Sequence, residues 1–150
     1  MAGEVWFYHL ERSSLEEILP DLLARSLARG WRALVVAPDR RRLEALDERL
    51  WTFGDESFLP HGLEGEPHAA RHPVLLSVSG ENLNQADVLI LIDGADAGDV
   101  APYERSILVF DGTDEAALSA ARERWTGFKK AGLEVAYWRQ KEAGGWERQA

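Results

Sequence analysis

Short apolar runs alternate with segments of helical period along most of this chain. Val5-Trp6-Phe7-Tyr8-His9-Leu10 is aromatic and aliphatic and stops at Glu11-Arg12-Ser13-Ser14, which predicts an interior strand followed by a turn. Ser14 with Glu16 and Glu17 then starts a helix. Leu15, Ile18, Leu19, Leu22, Leu23 and Leu27 recur on one face of it as far as Gly30, a left-handed stop. Pro20 falls inside that run and predicts either a kink or the first turn of a shorter helix. Residues 32–38 read as a second buried strand, and residues 39–51 as a helix with Leu43, Leu46 and Leu50 inward.

Residues 62–73 carry glycine, proline and polar side chains with no period, and are read as a mobile loop. Strands are expected at 74–78, 88–92 and 106–110, a long helix at 114–131 ended by Gly132, and a last strand at 133–138. The fold class implied is α/β, a mostly parallel central sheet with helices on both faces. Residues 1–143 form a single domain in this reading, and 144–150 a flexible C-terminal tail.

At 150 residues the chain can bury a core without staples, and it has no cysteine, which removes thiolate catalysis and sulfur-based zinc sites. A reducing, cytoplasmic setting fits that composition. No segment approaches the roughly 18 consecutive apolar residues of a membrane span, so no membrane contact is expected. The net charge of -9 disfavours direct binding of nucleic acid, which depends on neutralising phosphates. Arg122, Arg124, Lys129 and Lys130 nevertheless concentrate positive charge on one segment, and six tryptophans raise the expectation of an interface.

Catalytic alternatives each lack a part. The turn after the first strand has no glycine to admit a phosphate, and G-x-x-x-x-G-K-[ST] is absent, there being no Gly-Lys pair. Asp93, Asp96 and Asp99 suit a solvated acidic turn better than a cation site, and His61, His68 and His72 lie among glycine and proline rather than on a helix. No G-x-S-x-G elbow occurs. The reading is a non-enzyme without cofactor or metal. On the 114–131 helix, Leu118, Arg122, Trp125 and Lys129 share one stripe while Ala117, Ala121 and Phe128 form the better core face; on spacing alone a half-buried Trp125 ringed by snorkelling stems fits slightly better than an exposed recognition site.

Several short motifs stand in a fixed order: Leu46-Asp47-Glu48-Arg49-Leu50-Trp51, Glu56-Ser57-Phe58-Leu59-Pro60-His61, Pro102-Tyr103, and Ala121-Arg122-Glu123-Arg124-Trp125 with Phe128. In these the chain resembles, over nearly its whole length, the chi subunit family of bacterial DNA polymerase III holoenzyme. The resemblance implies a Rossmann-like, non-catalytic adaptor that links the clamp loader to single-stranded DNA-binding protein by binding its acidic, Phe-ending C-terminal tail. It implies a tail site of Trp51, Phe58, Arg122 and Trp125, provided that the helix ending at Trp51 lies beside the C-terminal helix. Leu118 and Thr126 stand where the resemblance implies lysines, so either tail affinity is lower or Arg124, Lys129 and Lys130 supply the charge from the neighbouring turn. A psi subunit or clamp-loader component is the other partner implied, on a different surface. Two readings of other classes remain at this point: a divergent helicase-like nucleotide-binding domain without a phosphate loop, and a homodimer using Trp125.

Overall fold

A computed structural model describes residues 3–52, 60–96, 100, 102–141 and 145–149. The aromatic run forms β1 (Glu4–Leu10), followed by α1 (Leu15–Ala28), β2 (Ala33–Val36) and α2 (Arg40–Thr52). After them come β3 (His61–Leu63), a 3-10 turn (Ala69–Arg71), β4 (Val74–Ser77), β5 (Val88–Ile92) and β6 (Arg105–Asp111). The chain closes with α3 (Glu115–Lys130), β7 (Glu134–Gln140) and β8 (Trp146–Arg148). All eight strands join one sheet in the order β3-β4-β2-β5-β6-β1-β7-β8, parallel throughout except β8, which runs antiparallel to β7. Strands β2, β4 and β5 are buried along their whole length, which is why they read as unbroken apolar runs. The expected α/β class, with its mostly parallel sheet and helices on both faces, holds.

The two faces have separate cores. Leu43, Leu46 and Leu50 of α2 and Leu15, Leu19 and Leu23 of α1 pack on Tyr8, Val35, Val74, Leu76, Ile90 and Val109. Ala121, Trp125 and Phe128 of α3 pack on the other face, around Phe7, Leu89, Leu108 and Phe110. The distribution follows from chain direction. From β1 through α1 to β2, and from β2 through α2 to β3, the chain steps one way across the sheet; from β6 through α3 to β7 it steps the other way. Right-handed crossovers in opposite directions put their helices on opposite faces.

Helix α1 begins with a full capping box, Ser14 accepting from the Glu17 N–H and Glu17 reaching back to the Ser14 N–H. Pro20 stays inside the helix. A proline there removes the donor for the carbonyl four residues back, Glu16. Arg49 of α2 donates to that Glu16 oxygen at 3.2 Å, so the orphaned acceptor also ties the two helices together. Arg49→Ala should cost about 1 kcal/mol in urea denaturation. The cost should shrink in a Pro20→Ala background, where the helix supplies its own N–H; an equal cost in both backgrounds would contradict this role.

Two segments differ from the sequence expectation. At the start of the expected 62–73 loop, His61–Leu63 pair with Val74, Leu75 and Leu76 as a parallel edge strand. The chain beyond is anchored by side chains from afar. The Glu64 carboxylate accepts from the Ser77 and Ser79 hydroxyls at 2.8 and 2.6 Å and from the Val78 and Ser79 N–H groups at 2.6 and 3.1 Å. The Arg32 guanidinium donates to the carbonyls of Asn84, Ala70 and His72. Burial alone would raise the Glu64 carboxyl, but the donors of Ser79, Val78 and Ser77 outweigh it and hold its pKa below the usual range. A depressed carboxylate adds stability above its unfolded pKa, about 4.3, and that stability is lost as pH falls through the lower folded value. Glu64→Gln should therefore flatten the acid limb of stability against pH below about 4, in thermal melts across that range.

The second difference lies in the span read as a flexible tail, 144–150. Trp146–Arg148 form β8, paired with Trp138–Gln140, and the Trp146 ring stacks on Tyr8 with centroids 4.7 Å apart. Three residues at a sheet edge are too few to show a period in sequence. Trp6, Trp31, Trp125, Trp138 and Trp146 are half-buried, while Trp51 is 55% exposed. Among the described residues no helix is long and apolar enough to cross a membrane.

Candidate functional site

Trp51 lies at the end of α2, its ring 4.5 Å from that of His61 on the edge strand β3, and His61 Nε2 is 3.1 Å from Asp47. His61 pairs in register with Val74, whose side chain belongs to the α1 and α2 face. Trp125 lies on the other face, edge-on to Phe7 at 5.5 Å and to Tyr137 at 5.9 Å. Five strand steps separate β3 from β1, about 24 Å at the usual spacing. Trp51 and Trp125 thus cannot line one socket. The condition that α2 lie beside α3 fails because the crossovers leave the sheet in opposite directions. Phe58 lies outside the described residues.

Arg122 and Trp125 do share a pocket, of about 370 Å³, whose wall also includes Leu118, His9, Tyr137, Arg139 and Gln149. Its construction follows from strand alternation: Phe7 and His9 on β1, and Tyr137 and Arg139 on β7, all point to the α3 side, with Phe7 opposite Tyr137 and His9 opposite Arg139. Helix α3, capped by Asp114 accepting from the Ala116 and Ala117 N–H groups, lays Leu118, Arg122 and Trp125 along the rim. Arg122 is exposed, and among the described residues no carboxylate pairs with it. Leu118 gives the pocket an apolar wall.

The other expected cations are placed differently. The Lys129 ammonium lies 5.3 Å from the Trp125 ring centroid and lines a neighbouring hollow with Trp6, Leu133 and Glu134. Arg124 turns away to the Gly94 carbonyl at 3.4 Å and the Asp96 carboxylate at 4.0 Å. Lys130 is exposed on the last turn.

The pocket floor is a bonded chain. His9 Nδ1 is 2.5 Å from the Tyr137 hydroxyl, His9 Nε2 is 3.3 Å from Glu11, and Glu11 accepts from Arg139 Nε at 2.7 Å. Burial lowers the His9 pKa against the opposing pull of Glu11, so the ring is neutral at neutral pH. Burial likewise raises Tyr137, despite Arg122 and Arg139, and keeps its hydroxyl protonated. The hydrogen bond from Arg139 holds Glu11 below the ordinary carboxylate range. Sequence reasoning missed His9, Tyr137 and Arg139. Period-two alternation marks them as facing one side, but only the pairing of β7 with β1 brings them under α3.

The crevice at the carboxyl ends of the strands, where α/β folds hold nucleotides, is otherwise engaged. The N–H groups of Glu11, Arg12 and Ser13 converge on Gln140 Oε1 at 2.9, 2.9 and 3.2 Å. Such a run of amides suits an anion, and here a neutral amide oxygen takes its place. Beside it Arg42 bridges Glu16 and Asp93, and Asp111 lines the same hollow, so carboxylates face any incoming phosphate. No cluster of metal-ligating side chains occurs among the described residues, and Asp99 lies outside them.

Compared with known families, residues 2–136 match the model described as DNA polymerase III chi subunit, HolC. The chain belongs to the DNA polymerase III chi family. DNA polymerase III subunit chi of Haemophilus influenzae is 30% identical over 136 residues, covering 88% of this chain and 94% of that protein. A probable DNA polymerase III subunit chi of Rickettsia prowazekii is 25% identical over 103 residues, 69% of this chain; the chain spans 62% of that relative's length. Among solved structures, the C-terminal domain of the DEAD-box protein Dbp5 superposes with a TM-score of 0.57 at 12% identity, covering 91% of each chain. That is a likeness of fold alone, which accounts for the helicase-like strands without carrying nucleotide chemistry over to this chi-family chain.

Proposed function

We propose that this chi-family chain is a non-catalytic accessory subunit of the replicative DNA polymerase III holoenzyme. It captures the acidic, Phe-ending C-terminal tail of single-stranded DNA-binding protein in the pocket between α3 and β7, and so links that protein to the clamp loader. The observation that carries the proposal is Arg122: an exposed cation without a carboxylate partner among the described residues, beside Trp125 and Leu118, on a protein of net charge -9. A terminal phenylalanine needs an apolar wall for its ring and a cation for its carboxylate, and these three side chains offer both. Trp51, on the opposite face, takes no part, and a psi subunit or clamp-loader component contacts some other surface. The acidic body keeps the chain off nucleic acid, and the role places it in the cytoplasm.

Fluorescence-anisotropy titration with a labelled acidic peptide ending in Phe tests this reading. Saturable binding that weakens with salt is expected, because the ionic contacts are partly exposed. Removal of the last Phe should abolish it, and Trp51→Ala should leave it unchanged. No detectable binding by the intact protein would sink the proposal.

A further inference from the structure

Resting on that reading, we propose that Arg139 is the pocket's second cation for an acidic peptide and that Glu11 is its built-in competitor, holding Arg139 until a peptide carboxylate displaces it. Of the cations on α3 only Arg122 lines the pocket: Arg124 turns to Gly94 and Asp96, Lys129 lies over the Trp125 ring and lines the adjoining hollow, and Lys130 is exposed on the last turn outside the lining. Arg139 comes from β7, not α3, and lines the same wall as Arg122. It lies just beyond residue 136, the last residue that the family model matches.

Glu11 is well placed to compete. A single oxygen, Oε1, meets both Arg139 Nε and Nη2 and also faces His9 Nε2 at 3.3 Å. A peptide aspartate offers the same carboxylate with a free second oxygen, and so can take both guanidinium donors side by side. His9 is neutral, so it does not cancel the Glu11 charge. Arg139 is 50% exposed while Glu11 is 23% exposed, which leaves the guanidinium open to an incoming group from the pocket side. With Glu11 in place the charged side chains of the pocket and its floor, Arg122, Arg139 and Glu11, sum to a single positive charge; with Glu11 displaced the wall presents two. The pair sets affinity through exchange of one carboxylate for another, and discriminates acidic tails from neutral ones that end in the same phenylalanine.

The test is a set of anisotropy titrations with the acidic Phe-ending peptide at low salt, using the full chain. Glu11→Gln and Glu11→Ala should tighten binding about threefold, and Arg139→Gln should weaken it by a similar factor, the range of partly exposed ion pairs. The double variant Glu11→Gln/Arg139→Gln should bind like Arg139→Gln alone, because the competitor acts only through the cation. With the intact protein binding, unchanged affinity in both Glu11 variants would overturn the inference and leave the docking site standing. A gain that persists without Arg139 would overturn it too, showing a general charge effect. Absence of binding by the intact protein would overturn the inference together with the reading beneath it.

Discussion

Arg122→Ala should weaken binding of the acidic, Phe-ending peptide by about tenfold or more while leaving the fold intact. Hydrogen bonds to charged partners contribute about 1.5–3 kcal/mol, and the exposure of Arg122 places it toward the lower end of that range. The guanidinium makes no packing contact that the core needs: the buried residue of α3 is Ala121, and Trp125 rests on Phe7 and Tyr137 without it. The thermal midpoint should accordingly stay put. Arg122→Lys should recover part of the affinity, since charge is kept and the planar two-donor geometry is lost. Equal binding by Arg122→Ala would move the terminal carboxylate elsewhere.

Gly112→Ala should destabilise the protein by about 1–3 kcal/mol, the usual cost of overpacking. A Cβ on residue 112 would overlap the imidazole of His9. That ring is held on every side: it is only 6% exposed, it is bonded to the Tyr137 hydroxyl at 2.5 Å, and it lies edge-on to Phe110 at 5.3 Å. The backbone cannot easily yield either, since the Gly112 N–H donates to the Leu10 carbonyl at 2.8 Å. A midpoint lower by several degrees is expected in thermal denaturation. Because His9 and Tyr137 form the pocket floor, tail affinity should fall as well. Gly127→Ala is the matched contrast. Nothing lies within 4 Å of a Cβ there, in the interior of α3, so alanine should stabilise by up to about 1 kcal/mol. A Gly112→Ala protein as stable as the parent would show that His9 can move freely.

These expectations draw on different levels of legibility in the chain. The strands and helices themselves could be read because their signals are local. Ser14 and Glu17 announce α1, Asp114 announces α3, and the unbroken apolar runs at β2, β4 and β5 match burial on both faces. The link between Arg122 and Trp125 was equally visible, since three residues on a helix bring side chains together. What escaped depends on long-range pairing. His61–Leu63 is a strand only because β4 lies beside it, and Pro20 is tolerated with a partner for its orphaned carbonyl, Arg49, on the next helix. Trp51 carried as strong a local signal as Trp125. Which face each occupies is decided by the direction of the crossover, and that in turn by a strand order no local pattern encodes. Arg139 escaped for the same reason, as its neighbours in the pocket are nearly all distant in sequence.

The central claim is that an acidic tail docks on the α3–β7 pocket and nowhere near the α2 edge. The indole N–H resonances of Trp125 and Trp51 report on the two places separately. In a 15N-labelled sample titrated with the Phe-ending acidic peptide, the Trp125 indole signal should shift progressively to saturation, together with the backbone amides of Arg122, Tyr137 and Arg139, while the Trp51 indole stays fixed. A shift of Trp51 with Trp125 unmoved would contradict the account.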